Sequence, residues 1–355
     1  MKILFAPFET AGVAGAMRDG LRARGHETEL WTIAKHPFIS TEDRLVRGYG
    51  RRALAGVRAP LRWDVLHFQF GSTFAEYADA AWSRVAGRPL VLMHYWGDDC
   101  RIRTGAGLRP LGAGPEWDRM QLARERVIRR RMRLGGRLCA AAVVSDLELL
   151  GHVRPFYRTV YVLPTPVVVP LGAVDAPAEP LEGDGPIVLH APSHQLKKGS
   201  AVISSAMDSV AARRPLRPHI VSGVRRDALL RELARADIVV DQLNSVTSGV
   251  FALEAMAFGK PVLLEFQREL LAPFARDSPA VAITAATLAA ELEALAGNAE
   301  RRAALGAAGR AFVARVHGAD VVARVLEELY EHASTRAAGC FEAAPDGIRP
   351  LPSPQ

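Results

Sequence analysis

Short apolar runs alternate with amphipathic stretches along most of this chain. Apolar, β-favouring runs at 2–6, 27–33, 65–70, 89–94, 140–145 and 160–163 predict strands. Helical periodicity at 12–24, 73–85 and 117–134 predicts helices between them. Such alternation covers both faces of a parallel sheet, so the first part predicts a doubly wound α/β layer with ligands at the carboxyl ends of its strands. From 164 to 185 proline, alanine, glycine and acidic residues replace the periodicity, which is the composition of a linker. A second series follows, with strands expected at 187–190, 219–222, 238–240, 262–264 and 281–283 and helices at 200–213, 226–236, 249–258 and 286–296. A helical pattern from 298 to about 332 closes the chain. After it Pro345, Pro350, Pro352 and Pro354 predict a mobile tail. The expected organisation is therefore two Rossmann-like domains, 1–164 and 186–310, a linker at 165–185, a helix at 311–332 and a tail at 333–355.

Composition narrows the partners. A chain of 355 residues is long for one core and comfortable for two. Its formal charge of +7 suits nucleic acid, anionic lipid headgroups or phosphate-rich substrates. Arginines concentrate at 44–62 and 124–134, but aromatic residues are not interleaved with them as base-stacking platforms, so nucleic acid is not expected. Leu122, Val127, Ile128, Met132 and Leu134 read as a core stripe with arginines outside. Two readings of these basic segments stay open: a solvated face, or peripheral contact with anionic headgroups. Cys100, Cys139 and Cys340 are far apart and lack metal-like spacing, so neither a disulfide framework nor a zinc site is expected. No apolar run approaches the roughly 20 residues of a spanning helix. The expectation is a cytoplasmic protein whose membrane contact, if it has one, is peripheral at the inner face.

The densest chemistry lies at 236–262. An apolar strand ending at Val240 runs into a polar loop, and a helix begins at Ser248-Gly249 with Glu254 just past its first turn. Free amides at a helix start attract phosphate, a glycine there admits close approach, and a carboxylate one turn on suits a ribose diol. Ser248, Gly249, Val250 and Glu254 thus suit a nucleoside diphosphate.

This segment, Glu254-Ala-Met-Ala-Phe-Gly-Lys-Pro-Val262, resembles the signature of the large retaining GT-B glycosyltransferases that carry an E-x7-E motif. The resemblance implies two Rossmann-like domains facing across a cleft. Glu254 matches the second glutamate, which binds the nucleotide ribose. Val246 stands where the first would contact the donor sugar, with Asp241 as a candidate substitute. Lys198-Gly199 matches the family's Lys-Gly pair at the diphosphate, while Ser193 occupies the place of its usual arginine. Arg225, Arg226 and Lys197 are candidate replacements.

In the first domain, His94 matches a histidine that contacts the donor sugar. Asp98 and Asp99 either bind acceptor hydroxyls or cap the turn and pair with Arg101 or Arg103. Gly12 either faces the diphosphate or only turns the chain. Ser222-Gly223 either lines the base pocket or only ends a strand, and Ser145 reads as a helix cap before an acceptor contact.

The implied function is transfer of a sugar, with retention, from a nucleotide-sugar donor to an acceptor hydroxyl on a small molecule, glycan or lipid-linked compound. No metal and no cofactor beyond the donor co-substrate is implied. The alternatives are a GT-B sugar-nucleotide epimerase or phosphorylase, or a degenerate nucleotide-sugar-binding scaffold.

Overall fold

The computed structural model describes residues 1–37, 39–102, 115–167 and 184–352. Most of the expected linker, Arg103 and the last three residues lie outside the described residues. Seven strands arise in the first part: β1 Lys2–Ala6, β2 Glu27–Thr32, β3 Arg44–Leu45, β4 Val65–Gln69, β5 Leu90–His94, β6 Ala141–Val144 and β7 Thr159–Val162. The second part contributes β8 Ile187–His190, β9 Arg217–Ile220, β10 Ile238–Val240, β11 Val262–Leu264 and β12 Val281–Ala282. The chain then ends with β13 Gly339–Ala344 and β14 Gly347–Pro350.

The two sheets have the order β14-β13-β7-β6-β5-β4-β1-β2-β3 and β12-β11-β10-β8-β9, and every pair is parallel except β13 with β14. The protein thus has the GT-B architecture, two Rossmann-like α/β layers facing across a cleft. Strands β4, β6, β7 and β8 are buried along their whole length, as parallel strands covered by helices on both faces must be. In the first sheet strand order reverses at β1, which Ile3 registers against Thr28 on one side and Val65 on the other. In the second it reverses at β8, between β9 and β10. Loops leaving opposite sides of a reversal part and leave a crevice, so each sheet predicts its ligand site there.

Two expectations at the C-terminus are corrected. The closing region is two helices, Ala299–Val316 and Ala319–Ser334, rather than one. His317 ends the first: its ring is bonded to the Thr165 carbonyl at 2.8 Å and its own carbonyl accepts the Val167 amide. The first helix adds Phe312, Val313 and Val316 to the second lobe's core, and the second crosses back to pack Val322, Leu326 and Leu329 against Ile3, Phe5 and Met17. The expected mobile tail is instead ordered from Gly339 to Pro350, where β13 registers Cys340 on Val160 and extends the first sheet. Its prolines misled because Pro350 sits on an edge strand, where a missing N–H removes no ladder bond. A further helix, Tyr49–Arg62, occupies the basic stretch at 44–62.

Candidate functional site

The carboxyl ends of β8 and β10 bring the two best-marked motifs together. After β8 the chain forms a short helix, Gln195–Lys198, and turns at Gly199 with φ +71°, a conformation in which a side chain would be strained. Leu243 Cβ lies only 2.9 Å from where a Cβ on Gly199 would sit, so the Lys198 loop packs closely on the loop after β10. Lys198 Nζ there meets Asp241 Oδ1 at 2.8 Å. Asp241 is buried and its Oδ2 has no hydrogen-bond partner among the described residues.

Both groups converge on Gly249, which precedes the helix Val250–Ala257 and carries no side-chain cap. A Cβ at residue 249 would be 3.7 Å from Asp241 Oδ2 and 3.9 Å from Lys198 Nζ. A fixed ammonium beside an uncapped helix start is an arrangement that attracts a phosphate group.

One turn into that helix, Glu254 is buried at 3% exposure and forms an ion pair with Arg226. Burial pushes its carboxyl up to about 7 even though Arg226 favours the charged form. Arg226 also reaches the first lobe: its Nη1 donates to the Ala11 carbonyl at 3.3 Å and lies over Gly12. Of the three candidate replacements for a cation at Ser193, the structure brings Arg226 to Glu254. Arg225 is exposed and pairs with Asp227, and Lys197 pairs with Asp98.

Gly12 itself, at φ +84°, opens the helix Val13–Ala23, but that helix start is already occupied. The Glu9 carboxylate accepts the amides of Thr10 (2.7 Å), Ala14 (3.2 Å) and Gly15 (2.9 Å). An anion is thus built into the first lobe's helix start, whereas no side chain caps the start at Gly249.

A cleft of about 600 Å³ separates the lobes in front of Gly249. From the second lobe Ser193, Lys198, Val246, Ser248, Gly249 and Val250 line it, together with Glu265 and Gln267. From the first lobe come Thr10, Phe70, Trp96, Asp98, Ser145 and Asp146. The lobes touch across it through Lys197 with Asp98 and through the Thr247 hydroxyl, which donates to Asp146 at 3.2 Å.

The first-lobe candidates divide. Asp99 is the turn cap: its Oδ1 accepts the amides of Trp96 and Gly97 at 2.9 and 2.8 Å, and burial raises it to about 6. Asp98 faces the cleft, while Arg101 is held by Glu148 at 2.8–3.0 Å. Asp146, rather than Ser145, caps the following helix by accepting the Leu149 amide at 2.8 Å. His94 ends β5 as expected, yet it is buried and does not line the cleft. Its ring stacks on Trp96 at 3.8 Å, and its Nδ1 meets His67 Nε2 at 3.2 Å. Burial and the neighbouring His67 hold His94 well below the ordinary imidazole range, so it is neutral at pH 7.

Ser222 and Gly223 lie exposed beyond β9 and do not line the cleft either. Glu265, at the end of β11, was not singled out from the sequence, although its place at a strand's carboxyl end was the available signal. Its Oε2 accepts the Asn244 amide at 2.6 Å, which orders the loop that carries Val246. Among the described residues no cluster of three or more His, Cys, Asp or Glu side chains could hold a metal ion.

No protein-family model matches this chain, and no curated protein matches its sequence. Solved structures do match its fold. A sucrose-phosphate synthase from Thermosynechococcus elongatus is 14% identical with a TM-score of 0.66, over 94% of this chain and 99% of that one. Anabaena HepE, solved in complex with UDP-glucose, is 15% identical with a TM-score of 0.63, over 94% of this chain and all of that one. WaaG, a glycosyltransferase involved in lipopolysaccharide biosynthesis, is 13% identical with a TM-score of 0.60, over 96% of this chain and all of that one.

Proposed function

We propose that this protein is a glycosyltransferase that moves a sugar from a nucleotide-sugar donor to an acceptor hydroxyl, with retention of anomeric configuration. One observation carries the reading: Lys198 and the uncapped helix start at Gly249 meet at the strand-order reversal of the second sheet, on one wall of a two-lobed cleft, with Glu254 buried behind that wall one turn into the helix. That the similar folds include the glycosyltransferase WaaG and a complex of HepE with UDP-glucose supports it. Retention rests on the resemblance of the Glu254 segment to the retaining family.

The donor's diphosphate lies against the Gly249 and Val250 amides and Lys198. As the glycosidic bond breaks, negative charge collects on the departing phosphate, and a cation already held at 2.8 Å by Asp241 lowers the barrier without having to reorganise. Glu254 accepts the ribose hydroxyls. To do so it exchanges its bond to Arg226, which then serves as the second cation that Ser193 does not supply. Val246 gives the sugar pocket an apolar wall, with Glu265 as its nearby carboxylate. His94 acts through Trp96, whose indole N–H is fixed on Gln69 at 2.9 Å. The acceptor enters from the first lobe past Asp98, and closure of the lobes excludes water that would hydrolyse the donor.

Calorimetric titration with UDP, GDP and ADP tests the reading. One of them binds the wild type, and Lys198→Ala or Glu254→Ala weakens it at least tenfold. If none binds, or both variants bind like wild type, the proposal fails. With the donor in hand, NMR of the product distinguishes retention from inversion, and incubation without acceptor distinguishes transfer from epimerisation.

A further inference from the structure

The helix Tyr49–Arg62 is packed the wrong way round for an ordinary surface helix. Its buried positions are the small Ala55, Gly56, Ala59 and Pro60, while its large apolar residues point outward. A Cβ on Gly56 would stand 3.1 Å from Asp79 Cβ, so small residues are what lets this helix sit tightly on the next, Ala78–Ala86. Tyr49 is 90% exposed, and Leu54, Val57 and Leu61 are each about half exposed. Their spacing of three and four residues sets the last three on one stripe. The neighbouring helix extends the stripe: Trp82, itself partly exposed, donates its indole N–H to the Val57 carbonyl at 3.2 Å, and Val85 is 78% exposed.

Arginine outnumbers acid along this apolar stripe: Glu27 and Glu29 pair with Arg62 at its end, and Glu76, paired with Arg131, lies in the adjoining groove. Residues 44–62 hold six arginines and no Asp or Glu. Among the described residues Arg47, Arg51, Arg58 and Arg88 have no ion-pair partner. Outward apolar side chains flanked by unpaired arginines bury poorly against a second copy of the same face, because like charges meet. They match a bilayer surface whose headgroups are anionic and whose acyl boundary accepts Leu, Val and Trp.

We propose that the face formed by Tyr49–Arg62 with Trp82 and Val85 docks on an anionic phospholipid bilayer. The contact is peripheral, since among the described residues no helix is long and apolar enough to cross a membrane. The position of the face connects it to the cleft. Tyr49 and Arg52 line a groove of about 850 Å³ whose inner wall includes Phe8, Phe74 and Phe70, and Phe70 also lines the cleft between the lobes. A docked protein therefore opens an aromatic passage from the lipid surface to the cleft, suited to an acceptor with an apolar portion. That consequence rests on the proposed transfer reaction, whereas the docking itself does not.

Flotation of the full chain with vesicles tests the docking, using pure phosphatidylcholine against phosphatidylcholine with about 30% phosphatidylglycerol. Wild type floats with the anionic vesicles only, and rising salt releases it. Replacing Leu54, Val57 and Leu61 together by Ser lowers the partition coefficient at least tenfold, and Arg51→Glu with Arg58→Glu lowers it by more than about 25-fold, at about fivefold per arginine. These positions are exposed, so circular dichroism and nucleotide titration remain those of wild type and separate loss of docking from loss of fold or donor site. Equal flotation with neutral vesicles, or wild-type flotation by either variant, overturns the proposal. So does a wild-type dimer that the Ser variant converts to monomer without any lipid binding.

Discussion

Glu254→Gln asks whether the carboxylate buried behind the cleft wall is held there against its own stability. Glu254 is 3% exposed, and burial raises its pKa from 4.5 to about 7, with Arg226 opposing the rise. A carboxyl that holds its proton more tightly in the folded chain than in the unfolded one favours folding at low pH. Below pH 4.5 both states are protonated and the group is neutral in the balance. Between 4.5 and about 7 only the unfolded chain releases the proton, so stability falls as pH rises, and above about 7 the loss is complete.

At about 1.4 kcal/mol per pH unit the total is about 3 kcal/mol. Glutamine keeps the shape and cannot ionise, so the variant lacks this slope. Urea denaturation followed by circular dichroism across pH 4.5 to 8 should show the variant gaining about 3 kcal/mol on the wild type. The Arg226 pair acts on the ionised carboxylate and is already contained in that rise, so it is not counted again. The same variant should bind its nucleoside diphosphate about 10- to 100-fold more weakly at pH 8, the worth of a charged hydrogen bond. A stability gap that stays level or narrows as pH rises would refute the reasoning, because Glu254 would then not be a buried carboxyl strained by ionisation.

Lys198→Met should destabilise the protein by about 3–5 kcal/mol, because it leaves the buried Asp241 carboxylate without its cation. Adding Asp241→Asn should recover most of that stability in denaturation but none of the nucleotide affinity. Truncation after residue 338 removes β13 and β14, uncovers the edge of β7 and takes buried Phe341, Ala343 and Ala344 from the core, so the product should aggregate or melt without a cooperative transition in calorimetry. Cys100, Cys139 and Cys340 are all buried, and burial raises each thiol above its usual range. A thiol reagent at neutral pH should therefore label none of the three in the native protein and all three in denaturant.

The order of strands and helices was legible in the chain because its causes are local. Alternation of apolar runs with helical periodicity predicted strands at 2–6, 187–190, 238–240 and 262–264, and the structure has β1, β8, β10 and β11 at those positions. The Lys198 and Gly249–Glu254 motifs could be read for the same reason, since a loop from strand to helix needs glycine and free amides wherever it occurs. Other features were set by packing between residues far apart in the chain. The prolines after residue 344 suggest a tail, yet Cys340 and Phe341 find a vacant edge at β7 to pair against.

His94 stands where a sugar contact was expected, but Trp96 covers it and His67 takes its Nδ1. Glu9 fills the amides beside Gly12 from only three residues away, although loop conformation rather than spacing brings it there. Arg226 reaches Glu254 and Ala11 together only because the two lobes face each other. Local periodicity settles most of the elements of the two layers, since each depends mainly on its own few residues, whereas β13 forms only against the edge of β7. Which charges meet, and which helix start stays open for a ligand, depends on contacts between distant segments that no single stretch of sequence contains.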